Sequence, residues 1–179
     1  MNTFKYRLAL AFLLVSGIIY GLKAQVPKAL EVGGTAPAFT AVDQDGKVWK
    51  LADLLGKQIV LLYFYPKDQT PGCTIQACGL RDQMSELKRG RVTVLGVSFD
   101  SAESHQAFIS KHNLNFPLLV DKDGKLADLY QTRKSPDAKM ARRVSFLIGL
   151  DGAIKHITDT NNAAVHLTEM KDAIAKLKK

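Results

Sequence analysis

Two cysteines, Cys73 and Cys78, offer the clearest chemistry in this chain, and its sequence contains no others. Pro71-Gly72 comes directly before Cys73, and a helical pattern runs from there to about Lys88. A thiol in the first turn of a helix faces backbone N–H groups that have no intrahelical partner, as well as the positive end of the helix dipole. This setting favours the thiolate, which is the nucleophilic form of cysteine.

The spacing of the two cysteines predicts a conformational change if they form a disulfide. Residues five positions apart in an α-helix have Cα atoms separated by roughly 8.6 Å. Disulfides tolerate at most about 7 Å, so a bond between Cys73 and Cys78 requires at least the first helical turn to unwind. A thioredoxin-type pair would be spaced Cys-x-x-Cys, and a zinc site would need two further ligands nearby. Two buried structural thiols are a further alternative, which the position of Cys73 at a helix start disfavours.

The elements that must position Cys73 alternate between strands and helices. Strands are predicted at 39–42, 48–51, 59–65, 92–99, 118–120, 144–150 and 153–157, and helices at 52–56, 73–88, 102–112, 125–130 and 167–177. Residues 43–46 and Asp151-Gly152 are typical hairpin connections. This order predicts an α/β fold with a central mixed sheet flanked by helices and an N-terminal β-hairpin. The thioredoxin-like arrangement has this order of elements.

Composition and charge are those of a globular protein with a mildly basic surface. The 179 residues are 46% hydrophobic and 23% charged, with a formal net charge of +8. Lys5, Arg7 and Lys23 account for three of these charges, so the rest of the chain carries 8 − 3 = 5. The remaining basic residues are scattered, which favours a solvated surface over a nucleic-acid site.

The first 24 residues have the pattern of an export signal. Lys5 and Arg7 precede an apolar run without charges at residues 8–22, which is shorter than the roughly 20 residues that a membrane span prefers. Cleavage after Ala24 and an uncleaved membrane anchor both remain open. We therefore expect residues 1–24 to be an export signal or N-terminal anchor, 25–34 a linker and 35–179 the folded domain. The domain would lie in the periplasm or on the outer side of the cytoplasmic membrane.

The stretch around Cys73 also resembles a known family. Pro66-x-x-x-Thr70-x-x-Cys73 is similar to the active-site motif of the peroxiredoxins, and the longer run from Tyr65 to Thr74 resembles the bacterioferritin-comigratory, or peroxiredoxin Q, subgroup. The resemblance extends from about Gly34 to the C-terminus. It implies a thioredoxin-like fold and a thiol-specific peroxidase that reduces hydrogen peroxide and organic hydroperoxides without a metal or another cofactor.

The resemblance also implies roles for individual residues. Cys73 would attack the peroxide and become a sulfenic acid. Thr70 would hold the peroxide and Cys73 through its hydroxyl, and Pro66 would close the pocket against water. Arg143 would stabilise the thiolate and orient the peroxide, with the adjacent Arg142 as the alternative.

Cys78 fits the resolving position of members that form their disulfide within one helix. Its attack on the sulfenic acid would give a Cys73–Cys78 disulfide, which thioredoxin or a similar dithiol would reduce. An intramolecular disulfide is compatible with a monomer. Residues 131–141 depart from the subgroup pattern, which leaves the preferred peroxide and the docking of partners open.

Two other functions remain possible for the same fold. One is thiol–disulfide exchange on proteins outside the cytoplasm, and the other is a redox sensor whose helix switch is read by a partner. Neither would need Thr70 or Arg143. The four histidines share no spacing, and we expect each to be structural or solvated; they are His105, His112, His156 and His166.

Overall fold

The computed structural model describes residues 29–177. The predicted signal or anchor at 1–24, and the first part of the predicted linker at 25–34, lie outside the described residues. Within residues 29–177, none of the helices combines the length and the apolar character needed to cross a bilayer.

Residues 29–177 form seven strands and five helices. In chain order these are β1 (Thr40–Val42), β2 (Val48–Lys50), α1 (Leu51–Leu54), β3 (Ile59–Phe64), α2 (Pro71–Arg89), β4 (Val92–Ser98), α3 (Ala102–His112), β5 (Leu118–Val120), α4 (Lys125–Leu129), β6 (Val144–Ile148), β7 (Ile154–Asp159) and α5 (Ala163–Leu177).

Five of the strands form one mixed sheet in the order β5-β4-β3-β6-β7. β3 runs parallel to β4 and antiparallel to β6, so it occupies the centre of the sheet. β1 and β2 form a separate antiparallel hairpin. The predicted α/β fold, with its central mixed sheet, flanking helices and N-terminal hairpin, is confirmed.

The central strand β3 is buried on both faces, which explains why its sequence is apolar at every position. Successive side chains of a strand point to opposite faces. The odd-numbered residues of β3 pack in a cluster with α2, α3 and α5. The even-numbered residues pack in a second cluster with α1 and α4. The sheet therefore has a hydrophobic core on each side, and α2 lies over its middle strand.

Two helices begin earlier than the sequence pattern predicts. α2 begins at Pro71, because proline suits the first position of a helix, where its missing N–H would have no partner. α5 begins at Ala163, four residues before the predicted start at Leu167. Asn162 Oδ1 accepts a hydrogen bond from Ala164 N at 3.0 Å and caps this extra turn. Alanines carry little apolar signal, so the pattern missed them.

The segment at 131–141 leaves α4 and returns to the sheet through short-range contacts. Arg133 forms an isolated bridge with Ala141, and Arg142 N donates to Thr132 O at 2.8 Å. The Arg133 guanidinium pairs with Asp128 at 2.7 Å and lies 4.8 Å from the ring centroid of Phe99. This segment leads directly into the residues that precede β6.

Candidate active site

Cys73 sits at the N-terminus of α2, directly after the central strand. Thr70 is the N-cap residue and Pro71 the first residue of the helix, so Cys73 is the third. The first intrahelical hydrogen bond runs from Thr74 N to Thr70 O at 2.9 Å. The N–H groups of Gly72 and Cys73 therefore precede the helical ladder and add to the positive potential there. Cys73 itself is 1% exposed.

The register between β3 and β6 brings Arg143 to Cys73. Val144 pairs with Phe64, so the residue before Val144 lies beside the loop that follows β3. Arg143 Nη2 donates to Cys73 Sγ at 3.2 Å, and the arginine is 6% exposed. Because a guanidinium carries only donors, the sulfur must accept, which stabilises negative charge on it.

Gly72 allows this close approach of the arginine. A Cβ atom at this position would lie 3.1 Å from Arg143 Nη2, which is tighter than an ordinary contact. The guanidinium of Arg143 therefore packs closely against the start of the helix at Gly72, in addition to its contact with Cys73.

Arg142 points away from the site, as alternation along an extended chain requires. Its guanidinium donates to Asp159 Oδ1 at 2.7 Å and to Gln131 O at 3.0 Å. Of the two arginines considered from the sequence, the structure places Arg143 at the sulfur and Arg142 at the far edge of the sheet.

Three buried polar residues continue from Arg143 into the protein, and we call Gln76, Ser145 and His166 the arginine relay. Gln76 Oε1 accepts from Arg143 Nη1 at 2.6 Å, and Gln76 Nε2 donates to Ser145 Oγ at 3.4 Å. Ser145 Oγ lies 2.8 Å from His166 Nδ1, and His166 Nε2 lies 2.8 Å from Thr160 O.

Sequence reasoning did not identify the arginine relay. It treated His166 as structural or solvated and did not consider Gln76 or Ser145. Helical periodicity offered one signal, since Gln76 is one turn beyond Cys73 on the same face of α2. Strand periodicity offered another, since Ser145 shares a face with Arg143.

The other predicted site residues lie around Cys73 with different neighbours. The hydroxyl of Thr70 donates to Lys67 O at 3.0 Å and does not cap the helix. Pro66 is half-buried in the loop that leads to α2. Cys78 is a free, half-buried thiol further along the same unbroken helix, so helical geometry keeps it apart from Cys73.

A second polar cluster holds the loop between β3 and α2, and we call Tyr65, Asp68, Ser104 and His105 the loop anchor. Asp68 accepts from Tyr65 Oη at 2.7 Å and Ser104 Oγ at 2.7 Å, and it lies 2.9 Å from His105 Nδ1. His105 Nε2 faces Leu119 O at 3.2 Å. Burial raises the pKa of Asp68, but hydrogen bonds from His105, Ser104 and Tyr65 outweigh it, and the pKa lies below its ordinary value.

Among residues 29–177, no group of three or more His, Cys, Asp or Glu side chains could hold a metal ion. A cavity of about 490 Å³ lies against the N-terminal hairpin, where Phe39, Val42 and Leu126 line it. That cavity does not include the residues around Cys73.

Comparison with known proteins places this site in a family. The chain matches the AhpC/TSA family over residues 32–157. It is 46% identical to peroxiredoxin Bcp of Escherichia coli K12 over 142 residues, which cover 76% of this chain and 90% of that relative. It is 39% identical to the chloroplastic peroxiredoxin Q of Triticum aestivum over 125 residues, covering 70% of this chain and 57% of that relative.

Solved structures agree with these relatives. Peroxidoxin BcpB from Mycobacterium tuberculosis superposes with a TM-score of 0.75 at 29% identity, covering 83% of this chain and 97% of that one. The bacterioferritin comigratory protein of Xanthomonas campestris superposes with a TM-score of 0.74 at 27% identity, covering 84% and 98%. The chain therefore belongs to the AhpC/TSA family, as a peroxiredoxin of the Bcp and peroxiredoxin Q group.

Proposed function

We propose that this chain is a thiol-specific peroxidase in which Cys73 reduces hydrogen peroxide and organic hydroperoxides. The contact of 3.2 Å between Arg143 Nη2 and Cys73 Sγ carries the proposal, because it stabilises a thiolate at a helix N-terminus. Organic hydroperoxides are included because the similar Xanthomonas campestris protein is described as having alkyl peroxide reduction activity.

In the first step, Cys73 Sγ attacks one peroxide oxygen and the O–O bond breaks. The thiolate sulfur loses two electrons and becomes a sulfenic acid, while the other oxygen leaves and takes up one proton from the surroundings to form an alcohol or water. Arg143 Nε is a buried donor with no acceptor among residues 29–177, and it is available to a peroxide oxygen. Thr70 gives its hydroxyl hydrogen to Lys67 O, so its lone pairs remain available to a peroxide O–H. Pro66 would shield the reacting sulfur from water.

In the second step, Cys78 Sγ attacks the sulfur of the sulfenic acid, the S–O bond breaks and water leaves. The product is a Cys73–Cys78 disulfide, which thioredoxin or a similar dithiol reduces with two electrons. Both cysteines lie in the continuous helix α2, so this step requires the first turn of α2 to unwind. Reduced and oxidised forms should therefore differ at this end of the helix.

Thiol–disulfide exchange and redox sensing remain the alternatives to test. Neither activity needs a buried arginine on the reactive sulfur, whereas breaking a peroxide bond needs charge stabilisation along the line of attack. The geometry at Cys73 thus supports the peroxidase over both.

We also propose that the enzyme acts outside the cytoplasm as a monomer. The basic residues before the apolar run at 8–22 support an export signal or membrane anchor, and the intramolecular disulfide needs no second chain. Oxidising compartments lack a general dithiol pool, so a thioredoxin-like relay would have to supply the electrons. Fractionation of cells that produce the full chain, compared with a chain lacking residues 1–24, tests the location.

Peroxide consumption by the full chain in the presence of thioredoxin and its reductase tests the function. The unchanged chain should turn over hydrogen peroxide, and Cys73→Ser should reduce this to the background rate. Cys78→Ser should consume about one equivalent of peroxide and then stop, because its sulfenic acid has no resolving thiol. Equal consumption by the unchanged chain and Cys73→Ser would contradict the proposal.

A further inference from the structure

The hydrogen-bond directions in the arginine relay are determined from both ends. Arg143 has only donors, so Gln76 must present Oε1 to it and point Nε2 towards Ser145. Thr160 O has only lone pairs, so His166 must carry a proton on Nε2. The Ser145 hydroxyl accepts from Gln76 and therefore gives its own proton to His166 Nδ1. Every group is paired when His166 is neutral.

We propose that His166 and Ser145 are positioning residues, which hold Arg143 on Cys73 through Gln76 only while the imidazole is neutral. This inference rests on the peroxidase function proposed above. All three residues of the relay are 1% exposed, so water does not readily replace a lost partner.

A second proton on His166 would break this pattern. The ring would then donate from Nδ1 to Ser145, whose hydroxyl proton would need a new acceptor. Gln76 could supply one only by turning its amide, which would bring its NH₂ group against the donors of Arg143. Protonation thus leaves either an unpaired buried hydroxyl or an arginine without its buried acceptor.

The surroundings of His166 favour the neutral ring. Burial lowers the pKa of His166 from its ordinary value of 6.5, and the positive charge of Arg143 lowers it further. The Thr160 carbonyl and the carboxylates of Glu169 on α5 and Asp159 on β7 act in the opposite direction, and the lowering effects dominate. The relay should therefore be intact at neutral pH and fail in acid.

Steady-state kinetics of the full chain with hydrogen peroxide and a saturating dithiol, measured between pH 5 and 8, test the proposal. Ser145→Ala and His166→Leu should lower kcat/KM for peroxide about fivefold to tenfold at pH 7, the scale of one lost buried hydrogen bond. His166→Asn presents an amide oxygen near the position of Nδ1 without a titrating ring. This variant should keep most of the activity at pH 7. Its kcat/KM should fall less steeply in acid than that of the unchanged chain, because no ring is protonated at position 166. His112→Asn, on α3, is the matched control and should keep the parental profile.

Three outcomes distinguish the role of the relay, the acceptor role of His166 Nδ1 and the peroxidase function. If the unchanged chain is active and Ser145→Ala and His166→Leu match its kcat/KM at every pH, the relay does not position Arg143, while the peroxidase stands. If His166→Asn loses as much activity as His166→Leu, the acceptor role of Nδ1 is wrong. If the unchanged chain consumes no peroxide, the proposed function fails. Should His166→Leu be unfolded by circular dichroism, Ser145→Ala decides, since it removes a single hydroxyl.

Discussion

His105 and His166 are both buried, at 0% and 1% exposed, yet they have partners of different chemistry. His105 Nδ1 faces a carboxylate oxygen of Asp68, and His105 Nε2 faces the carbonyl of Leu119. His166 faces a hydroxyl and a carbonyl, and its network is complete with one proton. The two networks therefore differ in the atom opposite Nδ1, which is a carboxylate oxygen for His105 and a hydroxyl oxygen for His166.

The two clusters therefore hold the start of α2 by different means. The loop anchor fixes the chain before Cys73 with the buried pair of Asp68 and His105, and breaking such a pair leaves one buried partner uncompensated. The arginine relay contacts Arg143 through uncharged groups, whose loss removes one hydrogen bond at a time. We expect the anchor to govern stability and the relay to govern activity.

The largest effect on activity is expected when Arg143, which the relay contacts, is replaced. Arg143→Met removes the guanidinium that contacts Cys73 Sγ and should lower kcat/KM for hydrogen peroxide by about 10²–10³, as the loss of a charge-stabilising donor does. Arg142→Met is the matched control, because Arg142 pairs with the half-exposed Asp159. Stopped-flow peroxide reduction measures both. Equal losses in the two variants would show that the contact with sulfur is not what matters.

The largest effect on stability is expected when the loop anchor loses its carboxylate. Asp68→Ala leaves the buried His105 without its partner and should lower the free energy of unfolding by about 3–5 kcal/mol. Asp123→Ala removes a carboxylate from an exposed pair with Lys125 and should change it by less than about 1 kcal/mol. Urea unfolding at pH 7 measures both. A small loss in Asp68→Ala would mean that the ion pair is not formed.

The arginine relay and the loop anchor should lose their stabilising effects in different pH ranges. Because the pKa of His166 is lowered by burial from 6.5, the unfolded chain binds this proton first as the pH falls. Stability from the neutral ring is complete above pH 6.5 and declines below it. The pKa of Asp68 is lowered from 3.8, so its ionised carboxylate stabilises the fold above pH 3.8. This stabilisation is lost only in stronger acid. His166→Asn should therefore flatten the stability curve between pH 6.5 and 5, as thermal unfolding would show; an unchanged slope would exclude His166 as its source.

A smaller effect is expected from crowding the arginine. The Cβ of Gly72→Ala would lie 3.1 Å from Arg143 Nη2, so the guanidinium must move by a few tenths of an ångström. We expect kcat/KM to fall about threefold to tenfold, the value of weakening one hydrogen bond, without loss of stability. Ile75→Ala, an exposed position on the same helix, is the control. Unaltered kinetics in Gly72→Ala would show that the site tolerates a displaced arginine.

Much of the fold could be predicted from the sequence because local patterns encode it. β3 is apolar throughout, Asp151-Gly152 marks a hairpin, and Pro71-Gly72 marks the start of the Cys73 helix. The start of α5 was missed because Ala163 and Ala164 add no apolar periodicity. The alternation of elements predicted a central mixed sheet, whereas the order of its strands comes from the structure.

The site was only partly predictable for a physical reason. The motif indicated Cys73 and Arg143, and the structure brings them together. The relay joins Gln76 to Ser145 across 69 positions and Ser145 to His166 across 21. These side-chain contacts depend on the register of β6 beside β3 and on the packing of α5 against α2. Hydrophobic periodicity determines which faces meet, but it does not show which polar side chains on those faces pair.

The intact mass of the full chain after one equivalent of hydrogen peroxide shows whether Cys73 reacts and whether Cys78 resolves it. The reduced chain should lose two hydrogens as Cys73 and Cys78 form a disulfide. Cys78→Ser should gain one oxygen, because its sulfenic acid persists, and Cys73→Ser should keep its mass. Oxidation of Cys73→Ser at the same rate as the unchanged chain, or two-hydrogen loss without Cys78, would contradict a peroxidase that works through Cys73 and is resolved by Cys78.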